Sequence, residues 1–179
     1  YVHESVFDQV AEGVSAAARK IRVGPGLDDR TEMGPLVSDE QLARVTGYIE
    51  SGIAEGATVL AGGKRHGNSG YFVQPTVLTD TRPHMKVIQE EIFGPVVCAE
   101  RFTDADLDAL AKVGNDTVFG LASSIWTRDI SKAHKLAKRL RAGTVWINCH
   151  NVFDAALPFG GYKQSGWGRE MGLEVFNNY

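Results

Sequence analysis

The chain has 179 residues, of which 43% are hydrophobic and 23% are charged, and its formal net charge is -3 at pH 7. This length is sufficient for a buried core, and the slightly acidic composition gives no reason to expect a nucleic acid or a membrane as a partner. Two cysteines provide no disulfide framework, which indicates a reducing compartment, so we expect a cytoplasmic protein. The sequence contains no apolar run of membrane-spanning length and no visible signal peptide.

Both ends of the sequence look interrupted. The chain begins at Tyr1 rather than at a methionine, and Tyr179 directly follows a helical pattern. We therefore expect these residues to be one part of a longer protein.

The first half of the chain predicts two helices and two short strands. Apolar residues at helical spacing predict a helix over residues 6–21, with an inward face formed by Val6, Val10, Val14, Ala17, Ala18 and Ile21. Ser38 and Gln41 form a capping-box pattern at the start of a second helix, which Gly56 ends. The predicted inward face of this second helix consists of Leu42, Val45, Ile49 and Ile53. Strands are predicted over residues 58–61 and over residues 71–78, the latter interrupted by Pro75.

Residues 89–95, Gln-Glu-Glu-Ile-Phe-Gly-Pro, join a predicted helix to an apolar strand. The helix cannot continue here because the residue before a proline is pushed out of the helical region, and Gly94 permits a bend that a side chain would resist. Glu91 and Phe93 are therefore expected on a stiff connection at a sheet edge, where α/β folds place ligand sites. The alternative from spacing alone is a helix end with solvated Glu90 and Glu91 and with Phe93 in the core.

The second half alternates strands and helices regularly. Strands are predicted over residues 96–102, 121–126 and 144–148. Thr103 with Asp106 is predicted to cap one helix, and Asp129 is predicted to cap another, which Gly143 ends. The predicted inward residues are Leu107, Leu110 and Ala111 in the first of these helices and Ile130, Ala133, Leu136, Ala137 and Leu140 in the second. This alternation predicts an α/β fold with a mostly parallel sheet and helices on both faces.

Residues 148–170 form a long predicted loop that is dense in glycine and aromatic residues. Long loops in compact domains are usually functional, and Phe153 and Phe159 can wall an apolar pocket here. Gly166, Gly168 and Arg169 predict a tight turn whose arginine donates hydrogen bonds to backbone carbonyls. A packed surface loop without a ligand is the alternative interpretation.

The residue pattern gives little support for a cysteine nucleophile or for a metal site. Cys149 follows a predicted strand, but neighbours on an extended chain point to opposite faces, so His150 is poorly placed to accept the thiol proton. Cys98 lies inside an apolar strand and is expected in the core. The remaining histidines lie on separate elements without ligand spacing, so no metal site is expected from His3, His66, His84 and His134.

Two stretches of the chain resemble the NAD(P)-dependent aldehyde dehydrogenase superfamily. They are Glu-Glu-Ile-Phe-Gly-Pro at residues 90–95 and Pro-Phe-Gly-Gly-Tyr-Lys-Gln-Ser-Gly at residues 158–166. Further matches follow in the family's order at residues 34–36, 70–76, 119–121 and 143–148. The resemblance covers essentially the whole chain. It implies that residues 1–179 are part of an aldehyde dehydrogenase catalytic domain that lacks the upstream nucleophile segment and the cofactor domain.

The resemblance implies oxidation of an aldehyde to a carboxylic acid by the full-length protein. In this family a cysteine thiolate attacks the carbonyl, hydride leaves to the nicotinamide, and water hydrolyses the thioester with a glutamate as general base. That cysteine and that glutamate lie upstream of the segment that matches residues 1–3. No catalytic residue is therefore expected in this chain, and the segment alone is predicted to be inactive. Full-length members of the family are usually homodimers or homotetramers.

The resemblance also implies a cofactor, NAD or NADP, and the residues that contact it. Glu91 matches the glutamate that binds the hydroxyls of the nicotinamide ribose, a charge-assisted contact. Phe93 matches an aromatic residue that packs near the nicotinamide ring, and Leu121 matches a residue close to that ring.

Substrate residues follow from the same resemblance. Asn151, Phe153 and Phe159 match positions that line the substrate tunnel, whereas Cys149 matches a cysteine that is not the nucleophile. The mostly apolar and aromatic tunnel leads us to expect a hydrophobic or aromatic aldehyde. Similar members include enzymes for aromatic aldehydes such as phenylacetaldehyde, and also enzymes of the betaine-aldehyde type.

Two other interpretations stay open at this point. The chain can be a non-catalytic binding or oligomerisation remnant of the same fold, or a thiol enzyme such as an esterase that uses Cys149. An upstream reading frame that encodes the missing cysteine and cofactor domain would favour the dehydrogenase. A Cys149→Ala variant that keeps all activity would exclude the thiol enzyme.

Overall fold

In the computed structural model of the chain, residues 1–103 and 107–179 are described. The chain divides into two compact units, residues 1–103 and residues 104–179. The predicted helix cap formed by Thr103 with Asp106 depends on a residue that lies outside the described ones. The helix that was expected to follow it begins at Leu107.

The first unit contains three α-helices and five short strands. The helices are α1 Phe7–Lys20, α2 Asp39–Ala54 and α3 Lys86–Gln89. The strands are β1 Val2–His3, β2 Thr58–Ala61, β3 Thr76–Thr79, β4 Val96–Cys98 and β5 Arg101–Phe102. A three-stranded sheet has the order β2-β3-β4, in which β3 pairs antiparallel with β2 and parallel with β4. The strands β1 and β5 form a separate parallel pair.

Helices cover both faces of this three-stranded sheet. Neighbouring residues of a strand point to opposite faces, and in β3 Val77 packs with Ala18 of α1 while Leu78 packs with Tyr48 of α2. Met85 and Val87, next to and within α3, complete the core on the α2 side. The predicted arrangement of helices on both faces is therefore confirmed for this unit.

The predicted inward face of α1 is confirmed at Ala18 and is wrong at its other positions. Val6, Val10 and Val14 are 43%, 40% and 40% exposed, whereas the buried positions of the helix are Phe7, Ala11, Ser15 and Ala18. Small side chains let the helix backbone approach β2 and β3 closely, and the bulkier valines remain outside. Two residues predicted to face inward near helix ends are also exposed, namely Ile53 and Ile130.

Two predicted strands are shorter in the structure than in the sequence pattern. Residues 96–102 form two strands rather than one, because β4 pairs with β3 while β5 pairs with β1. The strand predicted over residues 71–78 starts only at Thr76, whose N–H donates to Pro95 O at 2.8 Å. Pro75 cannot donate such a bond, so regular pairing begins after it.

Residues 107–179, the described part of the second unit, contain two α-helices and four short strands. The helices are α4 Leu107–Asn115 and α5 Ile130–Ala137. The strands are β6 Phe119–Gly120, β7 Ala122–Ile125, β8 Thr144–Ile147 and β9 Tyr162–Lys163. The pair β7–β8 is parallel and the pair β6–β9 is antiparallel. The predicted cap of α5 is confirmed, because Asp129 Oδ1 accepts from Lys132 N at 3.0 Å.

The two faces of the β7–β8 pair differ in what covers them. Ile125, Val145 and Ile147 pack with Ala111 of α4 and Ala133 of α5. Trp146 points to the opposite face, where loop residues rather than a helix cover it. Among the five strand pairings in the described ranges three are parallel, which confirms an α/β fold with mostly parallel pairing. Within those ranges no helix has the length and apolar character needed to cross a membrane.

Candidate functional site

The segment after α3 presents Glu91 and Phe93 to the solvent. Helix α3 ends at Gln89, and Glu90 is extended with φ -113° and ψ 153°. Side chains alternate along an extended chain, and Ile92 packs inward against the core while Phe93 is 64% exposed. Glu91 is exposed and makes no hydrogen bond or ion pair within residues 1–103 and 107–179. Its carboxylate oxygens are therefore available to hydroxyl donors.

Side chains of helix α2 bind this segment through both its backbone and the Glu90 carboxylate. Gln41 Nε2 donates to Phe93 O at 2.8 Å, and Tyr48 Oη donates to Glu90 Oε2 at 2.6 Å. Between these bonds, a Cβ on Gly94 would lie 2.6 Å from Val45 Cγ2, so only glycine fits without movement. The alternative of Phe93 as a core residue is wrong, because Ile92 occupies the inward position instead.

An aromatic cluster forms on the face of β8 that loop residues cover. Phe153 meets Trp146 edge-on at 5.5 Å and Phe159 edge-on at 4.9 Å between ring centroids, and Phe159 stacks on Trp146 at 6.5 Å. Trp146 is only 8% exposed, and its Nε1 donates to Val152 O at 2.8 Å. Such pairs stabilise one another by about 0.5–1.5 kcal/mol each beyond simple burial. The two phenylalanines predicted in the loop thus form one apolar wall.

Backbone and arginine contacts fix the loop that carries this wall. Phe159 N donates to Glu170 O, and Glu170 N donates to Phe159 O, both at 2.7 Å. Arg169 Nη1 donates to three carbonyls, those of Gly161, Trp167 and Gly168. The prediction that Arg169 anchors the loop through backbone carbonyls is confirmed.

The remaining predicted residues of the second unit lie around this loop. Leu121 and Phe159 line one open cavity of about 310 Å³, together with glycines of the loop. Asn151 is exposed and has a φ of 58°, a left-handed conformation that asparagine tolerates better than most residues. Asn151 and Phe153 do not line that cavity within the described residues. The structure therefore brings Phe153 and Phe159 into contact, and Leu121 and Phe159 to a common surface.

Neither cysteine has the surroundings of an activated nucleophile. Burial, with a smaller effect of the Glu100 carboxylate, raises the pKa of the Cys98 thiol to about 11. Cys149 is half-buried, and the ring of its neighbour His150 packs edge-on against Trp146 at 5.2 Å. Within the described residues no group of three His, Cys, Asp or Glu side chains is arranged to hold a metal ion.

Comparison with known proteins identifies the chain. The family model described as "Aldehyde dehydrogenase family" matches residues 1–179, so the chain belongs to the aldehyde dehydrogenase family. It is 49% identical to the mitochondrial aldehyde dehydrogenase of Leishmania tarentolae over 100% of this chain and 36% of that protein. It is 45% identical to the betaine aldehyde dehydrogenase of Brucella anthropi, again over 100% of this chain and 37% of that protein.

Solved structures agree with this assignment. The NAD+ complex of an aldehyde dehydrogenase from Bacillus cereus matches with a TM-score of 0.93 and 47% identity, over 99% of this chain and 36% of that one. The betaine aldehyde dehydrogenase from Staphylococcus aureus in complex with NAD+ matches with a TM-score of 0.92 and 41% identity, over 99% and 36% of the two chains. The chain thus spans little more than a third of the length of these relatives.

The sequence alone does not predict the roles of three residues that contact the candidate site residues. Trp146 lies in a predicted strand, and only its position between the inward Val145 and Ile147 indicates that it faces the loop. Gln41 is predicted as a capping residue, and nothing local relates its side chain to Phe93. Tyr48 lies between core positions of α2 and gives no separate signal.

Proposed function

We propose that the full-length protein containing this chain oxidises an aldehyde to a carboxylic acid with NAD or NADP. In this proposal the chain supplies part of the cofactor site and part of the substrate tunnel, while the catalytic cysteine and glutamate belong to other residues. The observation that carries the proposal is the exposed pair Glu91 and Phe93, held on a fixed backbone in a chain of this family.

The residues present fit a dinucleotide. The free carboxylate of Glu91 can accept hydrogen bonds from both ribose hydroxyls, and bonds of this charged kind contribute about 1.5–3 kcal/mol. The exposed ring of Phe93 can pack beside a planar ring. For Leu121, a contact with the nicotinamide is proposed from the family resemblance alone. A bound nicotinamide would supply the acceptor for a hydride, one proton with two electrons, from the substrate carbon.

We propose a hydrophobic or aromatic aldehyde as the substrate, because Trp146, Phe153 and Phe159 form a continuous apolar wall. Aromatic faces can also bind a quaternary ammonium group through cation–π attraction. A substrate panel of phenylacetaldehyde, hexanal and betaine aldehyde therefore tests the choice between the two.

The test uses the full-length protein and measures aldehyde-dependent reduction of NAD and of NADP. Phe153→Ala and Phe159→Ala should each lower kcat/KM for phenylacetaldehyde by about tenfold or more, because each removes a large apolar contact. Phe153→Leu keeps an apolar side chain, although a smaller one, and removes the π face, so a selective loss with betaine aldehyde would identify a cation site instead. Phe176→Ala, which alters an exposed ring outside the cluster, is the matched control. Unchanged kcat/KM for phenylacetaldehyde in both alanine variants would refute the substrate assignment.

The alternative of a non-catalytic remnant is tested by the intact mass of the natural protein. A mass near 19.5 kDa would mean that the chain stands alone. The predicted inactivity of the isolated chain would then apply to the protein itself. A mass near that of the relatives would favour the dehydrogenase, for which we propose a homodimer or homotetramer, measured by light scattering. A cytoplasmic location stays a proposal from the cysteine usage, to be checked by cell fractionation.

A further inference from the structure

We infer that Tyr48 and Gln41 of α2 are positioning residues that determine the direction in which Glu91 and Phe93 face a bound dinucleotide. The inference rests on the proposed function, because it concerns the cofactor site proposed above. It adds two residues that are not themselves expected to contact the cofactor. They act through the backbone and through the neighbouring Glu90.

One face of α2 meets the segment at three successive places. Gln41, Val45 and Tyr48 are spaced by four and three residues and therefore lie on the same side of the helix. Gln41 binds the carbonyl of Phe93, Val45 packs against Gly94, and Tyr48 binds the carboxylate of Glu90. These contacts fix the segment at both ends.

The backbone alone does not determine which of the two adjacent glutamates, Glu90 or Glu91, faces away from α2. In an extended segment one of the two points inward and the other outward, and a rotation of the segment would exchange them. The Tyr48 hydroxyl bonds to the Glu90 carboxylate at 2.6 Å, a length typical of a charge-assisted bond. This bond holds the exposed Glu90 side chain against α2 and therefore leaves Glu91 on the side that faces away from the helix.

The surroundings of Tyr48 make it a firm attachment point. Its side chain is largely buried in the core with Leu78 and Met85. The Arg44 guanidinium and the Lys86 ammonium each lie 5.9 Å from the centre of its ring, so cations also flank the ring. A hydrogen bond to a charged group of this strength changes the ratio of two orientations by about ten- to hundredfold.

The experiment titrates NAD into the full-length enzyme and follows binding by calorimetry, a readout independent of turnover. Tyr48→Phe removes only the hydroxyl, and Gln41→Glu replaces the donating NH2 by an oxygen of the same shape. Each variant should raise the Kd for NAD by about tenfold. The matched controls Tyr71→Phe and Gln9→Glu alter exposed residues outside this face of α2 and should leave the Kd within twofold.

A double variant separates positioning from plain structural support. In a Glu91→Ala background, which removes the hydrogen-bond acceptor, Tyr48→Phe should lose most of its effect on the Kd, because Tyr48 acts mainly on Glu91 through the neighbouring Glu90. An effect of full size in that background would overturn the inference. So would single variants that lower Tm while the Kd stays within twofold of the unaltered enzyme.

Other outcomes are equally decisive. If Tyr48→Phe does not fold, Gln41→Glu carries the same prediction, since its side chain lies at the protein surface rather than in the core. An unaltered enzyme that binds neither NAD nor NADP would refute the proposed function, and the inference with it. An unaltered enzyme that binds and turns over NAD while both single variants behave normally would refute the inference alone.

Discussion

Replacing Gly143 by alanine should displace the loop that carries the aromatic wall. Gly143 immediately precedes β8, and a Cβ at this position would lie 1.6 Å from Gly160 O and 2.7 Å from Gly160 C. Both atoms belong to the backbone, so no side-chain rotation can relieve the contact. The φ of Gly143 is not in the left-handed region, which leaves this steric contact as the reason for glycine.

The size of the effect follows from these distances. An ordinary contact of about 3.4 Å requires the carbonyl of Gly160 to retreat by about 1.8 Å, since 3.4 minus 1.6 is 1.8. Gly160 directly follows Phe159, whose ring belongs to the aromatic wall. A misplacement of about 1 Å in a substrate-positioning group can cost about a hundredfold in rate. Overpacking of this kind typically destabilises a protein by about 1–3 kcal/mol.

The assay compares kcat/KM for the preferred aldehyde in the full-length enzyme with and without Gly143→Ala. We expect a loss of about a hundredfold and a lower Tm. Gly47→Ala is the matched control, because a Cβ there has nothing within 4 Å and the position lies in the middle of α2. It should keep activity and raise stability by roughly 0.5–1 kcal/mol. A Gly143→Ala enzyme with activity within twofold of the unaltered one would refute the close contact between this residue and the loop.

Three further predictions concern single positions. Gly94→Ala should raise the Kd for NAD at least severalfold, since its Cβ would collide with Val45 and push the segment away from α2; an unchanged Kd would contradict this. Ser15→Ala should raise the free energy of unfolding by roughly 1 kcal/mol, because Ser15 is 0% exposed and its Oγ has no partner within the described residues; a clear destabilisation would point to a missed partner. Cys98 keeps its proton at neutral pH because its pKa is raised to about 11, so its alkylation by iodoacetamide should rise through about pH 10 without a plateau. The unfolded thiol loses its proton at lower pH, so stability should fall between about pH 9 and pH 11, and less steeply in Cys98→Ala.

Local signals predict much of the first unit because they act within a few residues. Ser38 Oγ accepts from Gln41 N at 3.1 Å, and α2 begins at the next residue, as the capping pattern indicates. Gly56 has a φ of 104°, as expected for a glycine after a helix end. The Gln41 side chain escapes this reading because it donates to Phe93 O, a partner supplied by tertiary packing 52 residues further along the chain.

Helix faces are predicted less well than helices. Hydrophobicity alone selects the valines of α1, but the buried face contains Ala11, Ser15 and Ala18, of which Ala18 packs with β2 and β3. A helix that lies close to a sheet needs small side chains at the contact, and a scale of hydrophobicity ranks those side chains low. In α2 the same scale succeeds for Leu42, Val45 and Ile49, because that face packs through large side chains.

The candidate surface of the first unit and the candidate surface of the second unit are each built on the same physical principle. Alternate residues of an extended chain point in opposite directions. Glu90 therefore bonds to Tyr48 of α2 and Ile92 packs on the core, while Glu91 and Phe93 face away from them. In β8, Val145 and Ile147 support the helical core while Trp146 carries the loop aromatics. In the sequence, residues 90–93 and strand β8 appear only as an acidic and an apolar run. The sequence does not show which face of each run packs against the rest of its unit. The partners that fix the orientation, such as Tyr48 for Glu90, lie far away in the sequence. Variants of these partner residues therefore test the proposed orientation of the site residues more strictly than variants of the site residues themselves.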